Sequence, residues 1–114
     1  MWFEMEVVQG QDYEVTFSAT DPVTGTPLDL RSGFAFLGRV CKTTDNDSPD
    51  LYLFPTGPNG LDPQNGFLIV RVPGTISDDW EFERVVFGIK VTNIDDGREI
   101  IGIRGPLHVI QTVA

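Results

Sequence analysis

The sequence holds a single cysteine, Cys41, in 114 residues, so no disulfide can form within the chain. That fits a reducing compartment, or a particle assembled inside a cell. Basic residues are scarce too: eight lysines and arginines stand against seventeen acids, a formal net charge of −9. A phosphate backbone is held by Lys and Arg, so nucleic acid is not an expected partner. No apolar run approaches the roughly 20 residues that a membrane helix needs, and no membrane partner is expected. The opening MWFEMEVV carries two glutamates and no basic residue, and does not read as a signal peptide. Nothing repeats at a fixed period, which argues against a solenoid. Neither phosphate-cradling pattern, GxxxxGK followed by Ser or Thr, or GxGxxG, occurs. Helix signals are thin. Twelve glycines and eight prolines interrupt the chain every several residues, and β-branched residues fill the runs between them.

What is present is alternation. In YEVTFSA, Tyr13, Val15, Phe17 and Ala19 point one way and Glu14, Thr16 and Ser18 the other, the period of a half-buried strand. MWFEMEVV sets Phe3, Met5 and Val7 against Glu4 and Glu6, and FAFLGRVC sets Phe34, Phe36 and Val40 against Leu37, Arg39 and Cys41. FLIVRV, residues 67–72, is almost wholly apolar, as a strand near the centre of a sheet should be. RVVFGIKV aligns Val85, Phe87, Ile89 and Val91, and NIDDG then reads as a hairpin connection into REIIGIRG. PLHVIQTV reads as a separate last strand, with Pro106 at its start, where a missing N–H costs least. SDDW predicts one short helical turn capped by Ser77. Seven or eight short strands, with turn signals about every ten residues, predict an all-β, antiparallel immunoglobulin-like β-sandwich forming one domain over residues 1–114.

DPVTGTPLDL, residues 21–30, looks at first like a ligand loop. It is read instead as a turn: Asp21 and Pro22 start it, Gly25 supplies a positive φ, and Pro27 stiffens the exit. Leu28 and Leu30 then return to the core with Asp29 facing out.

The candidates for chemistry are few. DNDSPD offers Asp45, Asp47 and Asp50 within six residues, enough oxygen to suggest calcium, but it lacks the glycine and the distal glutamate of a calcium loop. The acids of DDWEFE and NIDDG are read as strand ends that discourage edge pairing. Cys41 and His108 are the sole residues of their kinds, yet no orienting third group accompanies them. Seventeen acids make many carboxylate pairs, and nothing singles out any two. The segment Pro55–Gly66 reads as a long irregular loop suited to an assembly contact. Most aromatics alternate as core, whereas Trp2 and Tyr52 fall in segments that look like edge strands and are the expected surface contacts. No catalytic, cofactor or metal residue is therefore assigned.

The order of features resembles a known group. QGQDYEVTFSATD, DPVTGTPLDLRSG, the arginine strand FAFLGRV, GFLIVRVP, DDWEFERVVFGIKVTNIDDG and GPLHVIQTV follow one another as in the small Ig-like modules of tailed-phage virion proteins. Those modules include the N-terminal domain of baseplate upper proteins and related tail or head-fibre adaptors. Gly10, Asp12, Gly25, Pro27, Asp29, Leu30, Gly33, Arg39, Trp80, Phe82, Gly105 and Val109 carry the likeness. Gln11 intervenes between Gly10 and Asp12, Trp80 stands for a tyrosine, and Glu83 for an aspartate. The resemblance implies a non-enzymatic virion subunit, assembled in the host cytoplasm, that homo-oligomerises or docks on other virion structural proteins. With no fibre region following, it implies a stand-alone adaptor, decoration or connector. A carbohydrate-binding or adhesin-like module is the alternative, and would need exposed aromatics beside polar groups.

Overall fold

Period-two alternation becomes eight strands and one helical turn in the computed structural model, which describes residues 1–21, 23–43, 49–82 and 84–111. The strands are β1 (Met5–Val8), β2 (Tyr13–Ser18), β3 (Phe34–Cys41), β4 (Asp50–Leu53), β5 (Leu61–Pro63), β6 (Phe67–Val72), β7 (Arg84–Asn93) and β8 (Glu99–Ile110), with α1 (Gly74–Ser77) between β6 and β7. They form a five-stranded sheet in the order β1-β8-β7-β3-β4 and a three-stranded sheet in the order β2-β6-β5. The faces fall as the alternation requires. Val85, Phe87, Ile89 and Val91 of β7 are buried, as are Met5 and Val7 of β1 and Leu68, Val70 and Val72 of β6. These side chains fill the space between the sheets, each fully buried aliphatic contributing roughly 1.5–3 kcal/mol. Leu30 is fully buried and Leu28 packs against the core, so the DPVTGTPLDL exit returns to the interior as read from sequence.

β2, β6 and β5 correspond to strands B, E and D of the immunoglobulin arrangement, and β3, β7 and β8 to C, F and G, with β4 added beside C. Antibody domains tie B to F by a disulfide. Here β2 and β7 contribute buried Phe17 and Phe87 to the interior instead. One pairing departs from the antiparallel pattern. β1 joins the larger sheet parallel to β8, with Met5 opposite Leu107 and Val7 opposite Val109.

That pairing explains a second departure. REIIGIRG and PLHVIQTV are one 12-residue strand, and Pro106 lies in its middle, opposite Val86 of β7. Proline is tolerated there because of where its nitrogen points. Arg104, two residues earlier, donates to the Met1 carbonyl at 3.0 Å and accepts from the Phe3 amide at 3.0 Å. Position 106 therefore faces the N-terminal strand as well, and the missing donor interrupts only the parallel ladder, between Trp2 opposite Arg104 and Met5 opposite Leu107.

Two further expectations are corrected. The helical turn lies three residues earlier than SDDW, and Ser77 ends it rather than capping it. Ser77 is fully buried. Its hydroxyl accepts the Gly10 amide at 3.1 Å, while Asp12 Oδ1 accepts the Gly74 amide at 2.7 Å. A side chain on Gly74 would begin 2.5 Å from the Gly10 carbonyl. The QGQD turn and α1 thus lock together. Pro55–Gly66 is also not irregular: it contains β5, and Leu61 donates to Pro55 while Gly57 donates to Leu61, at 2.8 Å each.

Candidate functional site

Outward positions of the five-stranded sheet line up because each strand's register is fixed. Arg39 of β3 lies opposite Gly88 of β7, and Gly88 lies opposite Arg104 of β8. Trp2 bridges to Arg104 beyond one edge, and Leu53 of β4 lies opposite Arg39 at the other. One row, Trp2–Arg104–Gly88–Arg39–Leu53, therefore crosses the whole sheet on its solvent side. The next row along places Lys90 between Leu37 and Gly102. The row on the other side places Val86 between Cys41 and Pro106.

The centre of this face is a shallow cleft, since Gly88 contributes no side chain between two arginines. It is lined by Trp2, Arg39, Cys41, Val86, Gly88 and Arg104, and continues past Gly88 to Leu37 and Lys90. Arg39 Nε lies 2.6 Å from Asp50 Oδ1. Arg104 and Lys90 make no ion pair with any described residue. Three of the chain's eight cationic side chains thus line one cleft in a protein whose net charge is −9. Apolar surface surrounds them: Trp2 is 67% exposed, Leu53 54% and Leu37 51%. Such a face can hold carboxylates or phosphates by charge and aliphatic groups by burial.

The residues singled out from sequence are scattered. Cys41 is buried on β3, its thiol 3.5 Å from Asp50 Oδ1. His108 sits on β8 opposite Arg84 and Glu6. Two strand spacings and two residues separate Cys41 from His108, about 12 Å between Cα positions, so the thiol and imidazole are not brought together. Asp45 and Asp47 lie outside the described residues, and the Asp50 carboxylate is taken up by Arg39. Among the described residues no three His, Cys, Asp or Glu side chains converge as metal ligands.

Trp2 is a surface residue at an edge, as expected. Tyr52 is not. Its ring packs edge-on against Phe54 at 5.1 Å and Trp80 at 5.3 Å, and Trp80 lies against Phe82 at 5.0 Å. The segment after α1 folds these rings beneath the β4 edge, and burial raises the Tyr52 phenol above its ordinary pKa. Sequence reasoning marked Arg39 and missed Gly88, Lys90 and Arg104. A glycine at an outward position of the most strongly alternating run was the one available signal.

No family model matches the chain, and no curated protein matches it. Among solved structures it is similar to that of the NK cell receptor Nkp44, "a triggering partner in natural cytotoxicity". The two share 18% identity over 93% of this chain and 95% of that one, with a TM-score of 0.51. That likeness speaks to the fold alone, and it agrees with the strand order: the chain is an immunoglobulin-like β-sandwich, with two sheets and eight strands among the described residues.

Proposed function

We propose that this chain is a non-enzymatic structural protein of a bacteriophage virion, a tail, baseplate or head decoration or adaptor subunit that acts through protein–protein contacts. The observation that carries the assembly part is the outer face of the five-stranded sheet, which no described element covers. Trp2, Leu37 and Leu53 are each more than half exposed there, around the cationic side chains of Lys90 and Arg104. Exposed apolar side chains gathered on one sheet face around cationic ones suit a protein partner that brings both apolar and acidic groups. The virion part rests on the motif order from QGQD to GPLHV. Two of those motifs fold into the interlocks described above, QGQD against α1 and DPVTGTPLDL against the core. On this reading the partners are other virion structural proteins and further copies of the chain, and the compartment is the virion after assembly in the host cytoplasm.

Purified particles probed with an antibody to this chain give the direct test. Co-sedimentation with particles through a density gradient, in stoichiometric amount, is the expected result. A protein found in infected cells but absent from particles, and binding no particle protein, would sink the reading.

The carbohydrate reading asks for two or three aromatics on one exposed face. Among the described residues the exposed aromatics are Trp2 and Phe67, which belong to different sheets. No observation favours it over assembly.

A further inference from the structure

We propose that the cleft over Gly88 receives the tip of the β7–β8 hairpin, Ile94–Asp96, from a second copy of this chain, so that copies join head to tail. The inference rests on the assembly reading and names the surfaces that carry it.

Gly88 is the first observation. It lies mid-strand in β7, a strand with partners on both sides. A side chain built there would meet no described residue within 4 Å, and its φ is not in the left-handed region. Nothing in the fold requires glycine at this position, and an interior glycine weakens a strand. What it achieves is an open gap between Arg39 and Arg104. At the far end Glu99 lies over Gly102, which leaves the arginine row as the open part of the cleft.

The second observation is the matching knob. Ile94 is 63% exposed and is followed by exposed Asp95 and Asp96. The tip is held rigid. Asn93 donates to Arg98 at 2.8 Å, Gly97 donates to Asn93 at 2.9 Å, and Ile94 donates to the Gly33 carbonyl at 3.1 Å. Side chains complete it, with Asn93 Oδ1 accepting from Asp95 and Asp96 Oδ1 from Arg98. A preformed knob loses little conformational freedom on docking. Other apolar–acidic tips fit less well. Beside exposed Val23 the Asp21 carboxylate is already occupied by two backbone amides, and beside Leu51 the Asp50 carboxylate is paired with Arg39. The Asp95 carboxylate accepts no hydrogen bond from any described residue.

Charge sets the geometry. Two clefts face to face would oppose Lys90 and Arg104 with their own copies, so a two-fold contact through this face is disfavoured. A knob entering a cleft elsewhere on the next copy is heterologous, and such contacts build rings or filaments. The net −9 on each copy opposes approach, but screening over about 8 Å at physiological ionic strength confines the repulsion and leaves the local attraction.

Sedimentation velocity on the full chain tests this. Wild type should form a concentration-dependent series of oligomers. Arg104→Glu, and separately Ile94→Ser with Asp95→Lys, should each weaken association at least about tenfold while keeping the wild-type circular dichroism spectrum. Gly88→Leu, which has room for its side chain, should do the same. Mixed together, the Arg104→Glu protein and the hairpin variant should give a one-to-one dimer and nothing larger, because each keeps one working half. A wild type that is monomeric at millimolar concentration, a variant that associates like wild type, or a mixture that stays monomeric would each overturn the proposal. A monomeric wild type that still co-sediments with particles would end this inference and leave the assembly reading standing. Oligomers with no particle association would do the reverse.

Discussion

The Phe3 carbonyl oxygen occupies the place where a side chain on Gly105 would start, so that a Cβ there would overlap it. The N-terminal segment passes over the inner side of β8 at this point, and the Phe3 ring goes on to pack edge-on against Phe17 of the other sheet, 5.0 Å between centroids. Gly105→Ala should therefore push β1 off the sheet. A loss of about 1–3 kcal/mol or more is expected from urea denaturation, since backbone rather than a flexible side chain must move. Hydrogen exchange should localise the damage to the amides of Phe3 and Met5.

Gly88 should behave in the opposite way. Gly88→Thr adds a β-favouring side chain into open space and should raise stability by about 0.5–1 kcal/mol, read from the denaturation midpoint. A lower midpoint for the Gly88→Thr protein would mean that the position has a structural need for glycine after all.

Ser77 carries the lock between the QGQD turn and α1. Ser77→Ala removes the acceptor of the Gly10 amide in a fully buried place, and should cost about 1–3 kcal/mol. Gln9 braces the same junction, its Nε2 donating to the Trp80 carbonyl at 3.0 Å. Thermal melts of Ser77→Ala and Gln9→Ala should both fall, the first by more.

Asp29 gives a pH prediction. The Arg31 guanidinium, at 2.8 Å from both carboxylate oxygens, and the Arg31 amide hold its pKa at about 2. A depressed carboxylate favours folding at pH above its unfolded value of 3.8, and that contribution disappears as pH falls from there through about 2. Carbon-13 NMR should find the Asp29 midpoint near 2, and Arg31→Ala should return it toward the ordinary range. Exposure of both side chains keeps the effect on global stability small.

Cys41 should resist modification in the native protein. The residue is 7% exposed on the floor of the cleft, its thiol 3.5 Å from Asp50 Oδ1. A thiol reagent should label it at least about tenfold more slowly than in denaturant. Fast native labelling would show that the thiol is reached through the cleft or by opening of the β3–β4 edge.

The faces of individual strands were legible because alternation is local: Tyr13 to Ala19 and Val85 to Val91 declare their buried side without reference to anything else. The hairpin at Asn93–Arg98 and the turn at Asp21–Thr26 were legible for the same reason, with Gly97 and Gly25 both at positive φ. Pairings between distant segments were not. Nothing near Met5 announces Leu107, and without that partner the tolerance for Pro106 inside a strand stays hidden. Tyr52 was misplaced because an edge strand suggests exposure, whereas Trp80, from a segment nearly thirty residues on, covers it. The arginine row escaped notice because its members come from three strands and meet only through register.

The parallel pairing of β1 with β8 also bears on how the chain is made. β1 is the first of the eight strands to leave the ribosome, and its partner is the last. Until β8 is available the MEVV segment has an open backbone edge, and so does β7 on the side β8 will fill. Closing that sheet must therefore be a late, long-range step, slow compared with forming the β7–β8 hairpin alone. A translational pause or truncation before β8 would release a chain with two unpaired edges, the species most prone to aggregate with its neighbours.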